Sequence, residues 1–249
     1  MTAAPDSPLA TLWCPSPNHE PRRGGKQADL LLLHYTGMES AEGALDWMTR
    51  ADSRVSAHYL IDEAGRITQM VEESQRAWHA GVANWAGDDD INSCSIGIEI
   101  QNPGHAFGYP DYPEAQMVAV EALCVDILER TDIPKDRVLG HSDVSPARKQ
   151  DPGEKFDWAR LARAGVGVWV TPEAPGDDPG FGIGETGDAV ERLQLALARF
   201  GYGVETNGTF DQYTEFVVSA FQRHFRPLRV DGRADRSTLQ TLDSLLESL

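Results

Sequence analysis

Positive charge is scarce in this sequence of 249 residues, in which 22 Lys and Arg face 39 Asp and Glu, for a net charge of −17. Because nucleic-acid binding needs a basic surface that neutralises phosphates, this balance argues against a nucleic-acid partner. No apolar run approaches the roughly 18 residues of a membrane-spanning helix, so no membrane span is expected. The remaining composition, 41% hydrophobic and 24% charged, is typical of a folded acidic enzyme and identifies no substrate.

Cysteine is also scarce. The three cysteines, Cys14, Cys94 and Cys124, are odd in number and irregularly spaced. They therefore indicate neither a disulfide framework nor a cysteine-rich zinc motif. Nothing in the sequence points to an obligate protein partner.

The first eight residues lack the basic start and apolar stretch of a secretory signal. Trp13, directly before Cys14, does not suit a lipoprotein cleavage site. Three expectations stay open: a cytosolic protein, export by another route, or a leader missing from this sequence.

The pattern changes at residues 171–180, where three prolines, two glycines and no apolar periodicity predict a linker. We therefore expect a catalytic domain over residues 1–171, a Pro/Gly/Asp linker over 172–183 and a small domain over 184–249. Strands and helices alternate before the linker, which predicts an α/β fold with a mixed central sheet flanked by helices. The predicted strands are 29–35, 57–61, 67–71, 95–101 and 137–140, and the predicted helices are 41–50, 113–131 and 158–164.

After the linker, apolar periodicity predicts three helices, over about 188–200, 215–225 and 237–249. The last two follow a short repeat, Gly-x-x-Asp-x-x-Thr, at 208–214 and 232–238. An Asp at this position is typical of a helix N-cap, and calcium ligation is the alternative.

Three distant segments supply the groups of a hydrolytic zinc site. His34 ends an apolar strand, and His141 and Asp151 lie ten residues apart in a segment bent by prolines. Such a loop can return the carboxylate to the imidazole. Two imidazoles and one carboxylate would leave one position of a tetrahedral zinc open for water. Lys149 lies in the same loop, so its ammonium could reach the same cavity.

Glu99 lies in the strand pattern Ser-Ile-Gly-Ile-Glu-Ile of residues 95–100. A glutamate there is costly unless its face of the strand opens on something polar. A solvent-facing strand position is one interpretation, and a general base beside the zinc site is the other. Gly97 permits close backbone approach on that face.

These segments together resemble a known family, the zinc-dependent N-acetylmuramoyl-L-alanine amidases of the second amidase class, which share the fold of T7 lysozyme and the peptidoglycan recognition proteins. The likeness covers about residues 10–170 and is greatest for the AmpD and AmiD type. It rests on the segments LLHYT (32–36), SAHYL (56–60), AWHAG (77–81), SIGIE (95–99), GHSD (140–143) and PARKQDPG (146–153).

The resemblance implies that His34, His141 and Asp151 bind one zinc ion, that Glu99 is the catalytic carboxylate and that Lys149 assists. The reaction implied is hydrolysis of the amide between N-acetylmuramic acid, or its 1,6-anhydro form, and L-alanine. The family often has proline after Asp-Pro-Gly, whereas this chain has Glu154, which puts neighbouring substrate contacts in question.

His79 and Arg148 are candidate substrate contacts, and Trp78 and Trp85 could stack on a sugar or line the cleft. The alternative is that His79 orients a neighbour and that both tryptophans belong to the core.

The C-terminal region resembles a three-helix peptidoglycan-binding domain over about residues 184–249. The likeness rests on GDAVERLQ (187–194), FGY (200–202), FQ (221–222) and the two Asp turns. Peptidoglycan or muropeptides are thus the expected partner. A binding-only recognition protein and a phage-type endolysin remain alternatives. A wall-binding module favours the periplasm or cell envelope, and the absent signal favours the cytoplasm.

Overall fold

The computed structural model describes residues 4–249, so the first three residues of the predicted catalytic domain lie outside the described part of the chain. The strands are β1 (Leu12–Trp13), β2 (His19–Pro21), β3 (Leu30–Tyr35), β4 (Tyr59–Ile61), β5 (Ile67–Gln69), β6 (Gln75–Ala77), β7 (Ser95–Ile100) and β8 (Val138–Gly140). The α-helices are α1 (Ala41–Thr49), α2 (Ile91–Cys94), α3 (Glu114–Arg130), α4 (His141–Val144), α5 (Trp158–Arg163), α6 (Asp188–Phe200), α7 (Gln212–Phe225) and α8 (Arg236–Ser248).

Six strands form a mixed sheet in the order β1-β5-β4-β7-β3-β8. All its neighbouring pairs are parallel except β4 and β5, which form an antiparallel hairpin around residues 62–66. The strands β2 and β6 form a separate antiparallel ribbon. The predicted mixed α/β fold is therefore confirmed.

The two faces of the sheet are covered differently, as alternation along β3 shows. Leu31 and Leu33 point into a core that contains Val120 and Leu123 of α3. Leu30 and Leu32 point into a second core that contains apolar residues of α6, α7 and α8. His34 shares the parity of Leu30 and Leu32, so it lies on the face toward the C-terminal helices.

The C-terminal region consists of the three predicted helices. Asp211 and Asp235 are the N-caps of α7 and α8, since their side chains accept hydrogen bonds from the backbone N–H of Thr214 and Thr238. This confirms the capping interpretation of the repeat. Residues 171–180 form no helix or strand, and Arg233 and Ser237 donate to backbone carbonyls in this segment.

The helices α6–α8 pack directly on the sheet domain. Trp85, only 2% exposed, makes edge contacts with the rings of Phe200 and Tyr202 at centroid distances of 5.4 and 4.9 Å. The backbone N–H of Ala86 also donates to the carbonyl of Gly201. Within residues 4–249, no helix is long and apolar enough to cross a membrane.

Candidate metal centre and active site

The site lies at the carboxyl ends of three adjacent parallel strands. His34 ends the apolar part of β3, and Glu99 lies opposite it in the β3–β7 register. His141 begins α4 directly after β8. The chain then loops back, and the backbone N–H of Ser142 donates to the carbonyl of Asp151. Side chains that follow neighbouring parallel strands meet at one edge of a sheet, which is why these distant residues converge.

Three donor atoms converge at this edge. The Nδ1 atoms of His34 and His141 are 2.8 Å apart, and Oδ2 of Asp151 is 3.2 Å from the first and 3.0 Å from the second. All three side chains are buried. Donors about 2 Å from a tetrahedral ion lie about 3.3 Å from one another, close to these separations.

The outer nitrogen of His141 fixes its tautomer. Its Nε2 lies 2.9 Å from the carbonyl oxygen of Ala80. A carbonyl oxygen only accepts, so Nε2 carries the hydrogen and Nδ1 of the neutral ring presents a lone pair to the site.

A relay of hydrogen bonds fixes His34 in the same way. Ser95 Oγ donates to the carbonyl of Ile91 at 2.6 Å and therefore accepts from His79 Nε2 at 3.3 Å. The Nδ1 atom of His79 is then an acceptor, and His34 Nε2, at 3.0 Å, donates to it. His34 Nδ1 thus also presents a lone pair to the site.

Two lone pairs and a carboxylate oxygen therefore face one another with no hydrogen between them. This arrangement repels itself unless a cation lies among the donors, and histidine and carboxylate suit a divalent transition metal. The residues predicted as metal ligands are thus brought together into a possible metal site.

The protonation states agree with this assignment. Burial, followed by the neighbouring His141, lowers the pKa of His34 to about 4, so its ring is neutral at pH 7. A neutral imidazole is the form that ligates a metal ion.

Glu99 lies on the same face as the three donors. Its Oε2 atom is buried and has no hydrogen-bond partner among residues 4–249. Burial and the nearby Asp151 raise its pKa well above the usual range, whereas Lys149 opposes the shift. A cation held by the three donors would favour the ionised form. This predicted strand glutamate thus faces a polar cavity and not bulk solvent.

His141 and Asp151 line a cavity of about 410 Å³, together with His79, Trp78, Arg148, Lys149 and Glu99. His79 lies behind His34, in the orienting position that the sequence left open. The guanidinium of Arg148 donates to the carbonyls of Ala80 and Val82 at 3.2 and 2.5 Å. The Nε1 atom of Trp78 is buried and has no hydrogen-bond partner in the described part of the chain.

Trp85 is a correction to the sequence prediction. It does not line this cavity but is buried between the sheet domain and α6. An indole packed edge-on against Phe200 and Tyr202 has no face free for a sugar. The alternative that this tryptophan belongs to the core is the one the structure supports.

Two residues of the site were missed. Tyr35 lines both this cavity and a neighbouring one, and its place directly after His34 could have indicated it. Asn92 accepts through Oδ1 from the backbone N–H groups of His79 and Ala80. It thereby fixes the segment whose His79 side chain and Ala80 carbonyl contact the imidazoles of His34 and His141. No local pattern marks Asn92.

Fold and site together define a class, the α/β proteins with a possible metal site at the edge of a mixed sheet. Residues 24–154 match the family model described as N-acetylmuramoyl-L-alanine amidase, and residues 186–242 match that of a peptidoglycan binding domain. The chain belongs to the N-acetylmuramoyl-L-alanine amidase family, as the sequence motifs predicted.

Two similar proteins with amidase names support this family assignment. The chain is 36% identical over 237 residues to the N-acetylmuramoyl-L-alanine amidase AmiD of Escherichia coli, covering 88% of this chain and 82% of that protein. It is also 36% identical over 163 residues to the 1,6-anhydro-N-acetylmuramyl-L-alanine amidase AmpD of Haemophilus influenzae, covering 58% of this chain and 86% of that protein.

Solved structures extend the likeness to both domains. The complex of E. coli AmiD with anhydro-N-acetylmuramic acid-L-Ala-D-γ-Glu-L-Lys matches with a TM-score of 0.76 and 34% identity, covering 92% of each chain. AmpDh3 of Pseudomonas aeruginosa matches with a TM-score of 0.72 and 33% identity, covering 92% of this chain and 95% of that one.

Proposed function

We propose that the protein is a zinc-dependent amidase that hydrolyses the bond between the lactyl group of N-acetylmuramic acid, or its 1,6-anhydro form, and L-alanine in peptidoglycan or muropeptides. The observation that carries this proposal is the convergence of His34 Nδ1, His141 Nδ1 and Asp151 Oδ2, with both outer imidazole nitrogens engaged as donors. The family to which the chain belongs supports the choice of the amide between N-acetylmuramic acid and L-alanine as the bond that is cleaved.

His34, His141 and Asp151 would hold the zinc. When bound, zinc activates water and polarises a carbonyl as a Lewis acid. The buried partners behind the imidazoles, His79 and the Ala80 carbonyl, accept from the Nε2 atoms and orient both rings for ligation.

Glu99 would move the proton. In its ionised form, the partnerless carboxylate accepts a proton from the attacking water and returns it to the departing alanine nitrogen. Lys149 lines the same cavity and would stabilise negative charge that develops on the lactyl carbonyl oxygen. No covalent intermediate with the protein is required.

Substitution Glu99→Gln tests this role. It removes the base but preserves the shape and the metal ligands, so we expect turnover of a muropeptide to fall by roughly 10²–10⁴-fold. Zinc content, measured by mass spectrometry of the metal, should stay at one per chain. The matched control is Glu63→Gln in the exposed turn of residues 62–66, which should keep full activity. Near-normal turnover of Glu99→Gln would refute the assignment.

Product analysis tests the reaction itself. Intact cell wall and soluble 1,6-anhydro-muropeptides would be digested with and without chelator. The masses of the products would be measured by mass spectrometry. Release of free stem peptide that chelator abolishes is expected. Cleavage at another bond, or cleavage that chelator does not affect, contradicts the proposal. Binding without cleavage would favour the recognition-protein alternative.

The C-terminal match supports a proposal about the place of action. A peptidoglycan-binding domain is of use where polymeric wall is accessible, so we propose that the enzyme acts in the periplasm or cell envelope. We also propose that residues 1–171 are catalytic and 184–249 wall-binding, joined by a linker of 172–183. Fractionation of the native host tests this localisation, and recovery only with cytoplasmic markers would contradict it. Genomic neighbourhood would separate a bacterial enzyme from a phage endolysin.

A further inference from the structure

A second cavity adjoins the metal site, and one of its walls belongs to the C-terminal domain. It has a volume of about 610 Å³ and shares Tyr35, Thr36, Arg148, Lys149 and Asp151 with the first cavity. Helix α7 supplies the opposite wall through Glu215, Phe216, Ser219 and Arg223. A substrate held at the metal site therefore has room to extend along α7.

Arg223 is the cation on this wall. Its side chain is 14% exposed, and its buried Nε has no hydrogen-bond partner among residues 4–249. Oε2 of Glu154 is 4.0 Å from Nε, beyond hydrogen-bond distance, and is 3.1 Å from Nε2 of His105. A largely buried guanidinium with an unused donor is costly unless a ligand supplies an acceptor.

Of the other charges that line this cavity, Lys149 has its proposed role at the lactyl carbonyl oxygen, and Arg148, Asp151 and Glu215 have partners within residues 4–249. Arg148 donates to backbone carbonyls, and Asp151 lies against the two imidazoles. Glu215 accepts from the side-chain amide of Gln212. Arg223 is thus available for an anion, and guanidinium groups suit the geometry of a carboxylate.

Helix α7 is held rigidly against the metal-binding loop, which we define as residues 141–151. His224, next to Arg223, lies with Nδ1 2.7 Å from Oδ2 of Asp143, and Tyr202 donates to Oδ1 of the same carboxylate at 2.6 Å. Asp143 is two residues after His141, in α4. The position of Arg223 is therefore fixed relative to the reacting bond, as a specificity-determining residue requires.

Substrate chemistry identifies the anion. The lactyl carboxyl is consumed in the scissile amide, so the acid groups of a muropeptide lie on its peptide. The ligand of the E. coli AmiD complex contains a γ-linked D-Glu as its second residue, which leaves that residue's α-carboxylate free. Two extended residues reach about 7 Å from the reacting bond, a span that an adjoining cavity accommodates.

We propose that Arg223 of the C-terminal domain binds the α-carboxylate of the second stem-peptide residue and so makes this domain part of the substrate site. This inference rests on the proposed amidase function. It gives the C-terminal domain a role in choosing the stem peptide, in addition to wall attachment.

The test uses two substrates that differ in one group: N-acetylmuramoyl-L-Ala-γ-D-Glu-L-Lys, which has the α-carboxylate on its second residue, and the D-isoglutamine form of the same tripeptide, which has a carboxamide there. We expect the wild-type zinc enzyme to show about a tenfold to hundredfold lower KM for the acid. Arg223→Gln should lose that preference by raising KM for the acid with little change in kcat, and Arg223→Lys should restore part of it. Arg199→Gln, on the exposed face of α6, is the matched control and should behave as wild type.

The outcomes separate the two proposals. Equal KM values of the wild type for both substrates, or an equal effect of Arg223→Gln on both, would overturn the role of Arg223 while leaving the amidase function intact. Failure of the wild type to cleave either substrate would overturn the amidase function and this inference with it. Because the wild-type comparison needs no variant, the test holds even if Arg223→Gln does not fold.

Discussion

At the scale of single residues, His79 shows how the site prepares its metal ligands. The sequence left this histidine two roles, a substrate contact or an orienting neighbour. The structure places its Nδ1 behind His34 and its Nε2 on Ser95 Oγ. Burial, followed by the neighbouring His34 and His58, lowers its pKa well below the usual value, so it stays a neutral link in the relay.

Loss of this link should weaken metal binding more than folding. His79→Ala removes the acceptor that orients His34, and outer partners of this kind typically contribute 10–100-fold in metal affinity. Competition with a zinc-sensitive chelating dye would measure the loss, with the exposed His19→Ala as control. Unchanged zinc affinity in a folded His79→Ala protein would show that the relay does not orient the ligand.

At the scale of elements, β7 shows why a glycine interrupts an isoleucine strand. Ser95, Gly97 and Glu99 share one face, and Ile96 and Ile98 pack on the other. A Cβ atom on Gly97 would lie 2.5 Å from Nδ1 of His79, too close for any real contact. The glycine therefore lets the His79 ring lie flat against the strand between the metal ligand and Ser95.

Gly97→Ala should consequently disturb both stability and the metal site. Overpacking of this kind typically costs about 1–3 kcal/mol of unfolding free energy, and His79 has to shift away from His34. Urea unfolding and zinc titration would measure the two effects. Gly176→Ala, whose added Cβ meets no atom within 4 Å, is the control. A variant with wild-type stability and zinc affinity would contradict this account of β7.

The elements also show what a sequence can predict. Long periodic segments such as α3, α6 and the apolar strand β3 were predicted to within a few residues, because burial of one face imposes a period. The strands β2 and β6 and the helices α2 and α4 were not predicted. They have only three or four residues each, and pairing across the chain, not local pattern, decides their form.

Prediction of the site residues shows the same difference between local patterns and long-range packing. His34, Glu99, His141, Lys149 and Asp151 were predicted because each occurs in a dense motif. No local pattern places Arg223 or Tyr202 near the site, since their proximity to it depends on how two distant regions pack. The sequence left Trp85 between the cleft and the core for the same reason: its partners, Phe200 and Tyr202, are more than a hundred residues away in the sequence.

At the scale of the whole molecule, the proline-rich segment predicted a linker between two domains, and the structure shows that the regions on its two sides share a core. Residues of α6, α7 and α8 lie in one apolar cluster with Leu30, Leu32 and Trp85. The buried carboxylate of Asp143 accepts from Tyr202 and lies beside His224. Separation of the domains would expose this apolar cluster to water and break both contacts of Asp143.

The two domains should therefore unfold as one cooperative unit, and Trp85 is the residue that tests this coupling. Trp85→Ala opens a cavity at the domain interface, where a buried aromatic typically contributes about 3–5 kcal/mol. In calorimetry we expect one transition for the wild type and a lower midpoint with two resolved transitions for the variant. Trp47→Ala, whose indole is 41% exposed, should retain the single transition.

A wild type that melts in two transitions would mean that the shared core does not couple the domains, and α7 could then not hold Arg223 in place. A single transition that Trp85→Ala splits would instead place the carboxylate-binding wall and the metal-binding loop in one cooperative structure. Because Asp143 links α7 to the helix that begins at His141, the interface would then stabilise the catalytic centre directly. Weakening the interface should accordingly lower zinc affinity as well as the midpoint.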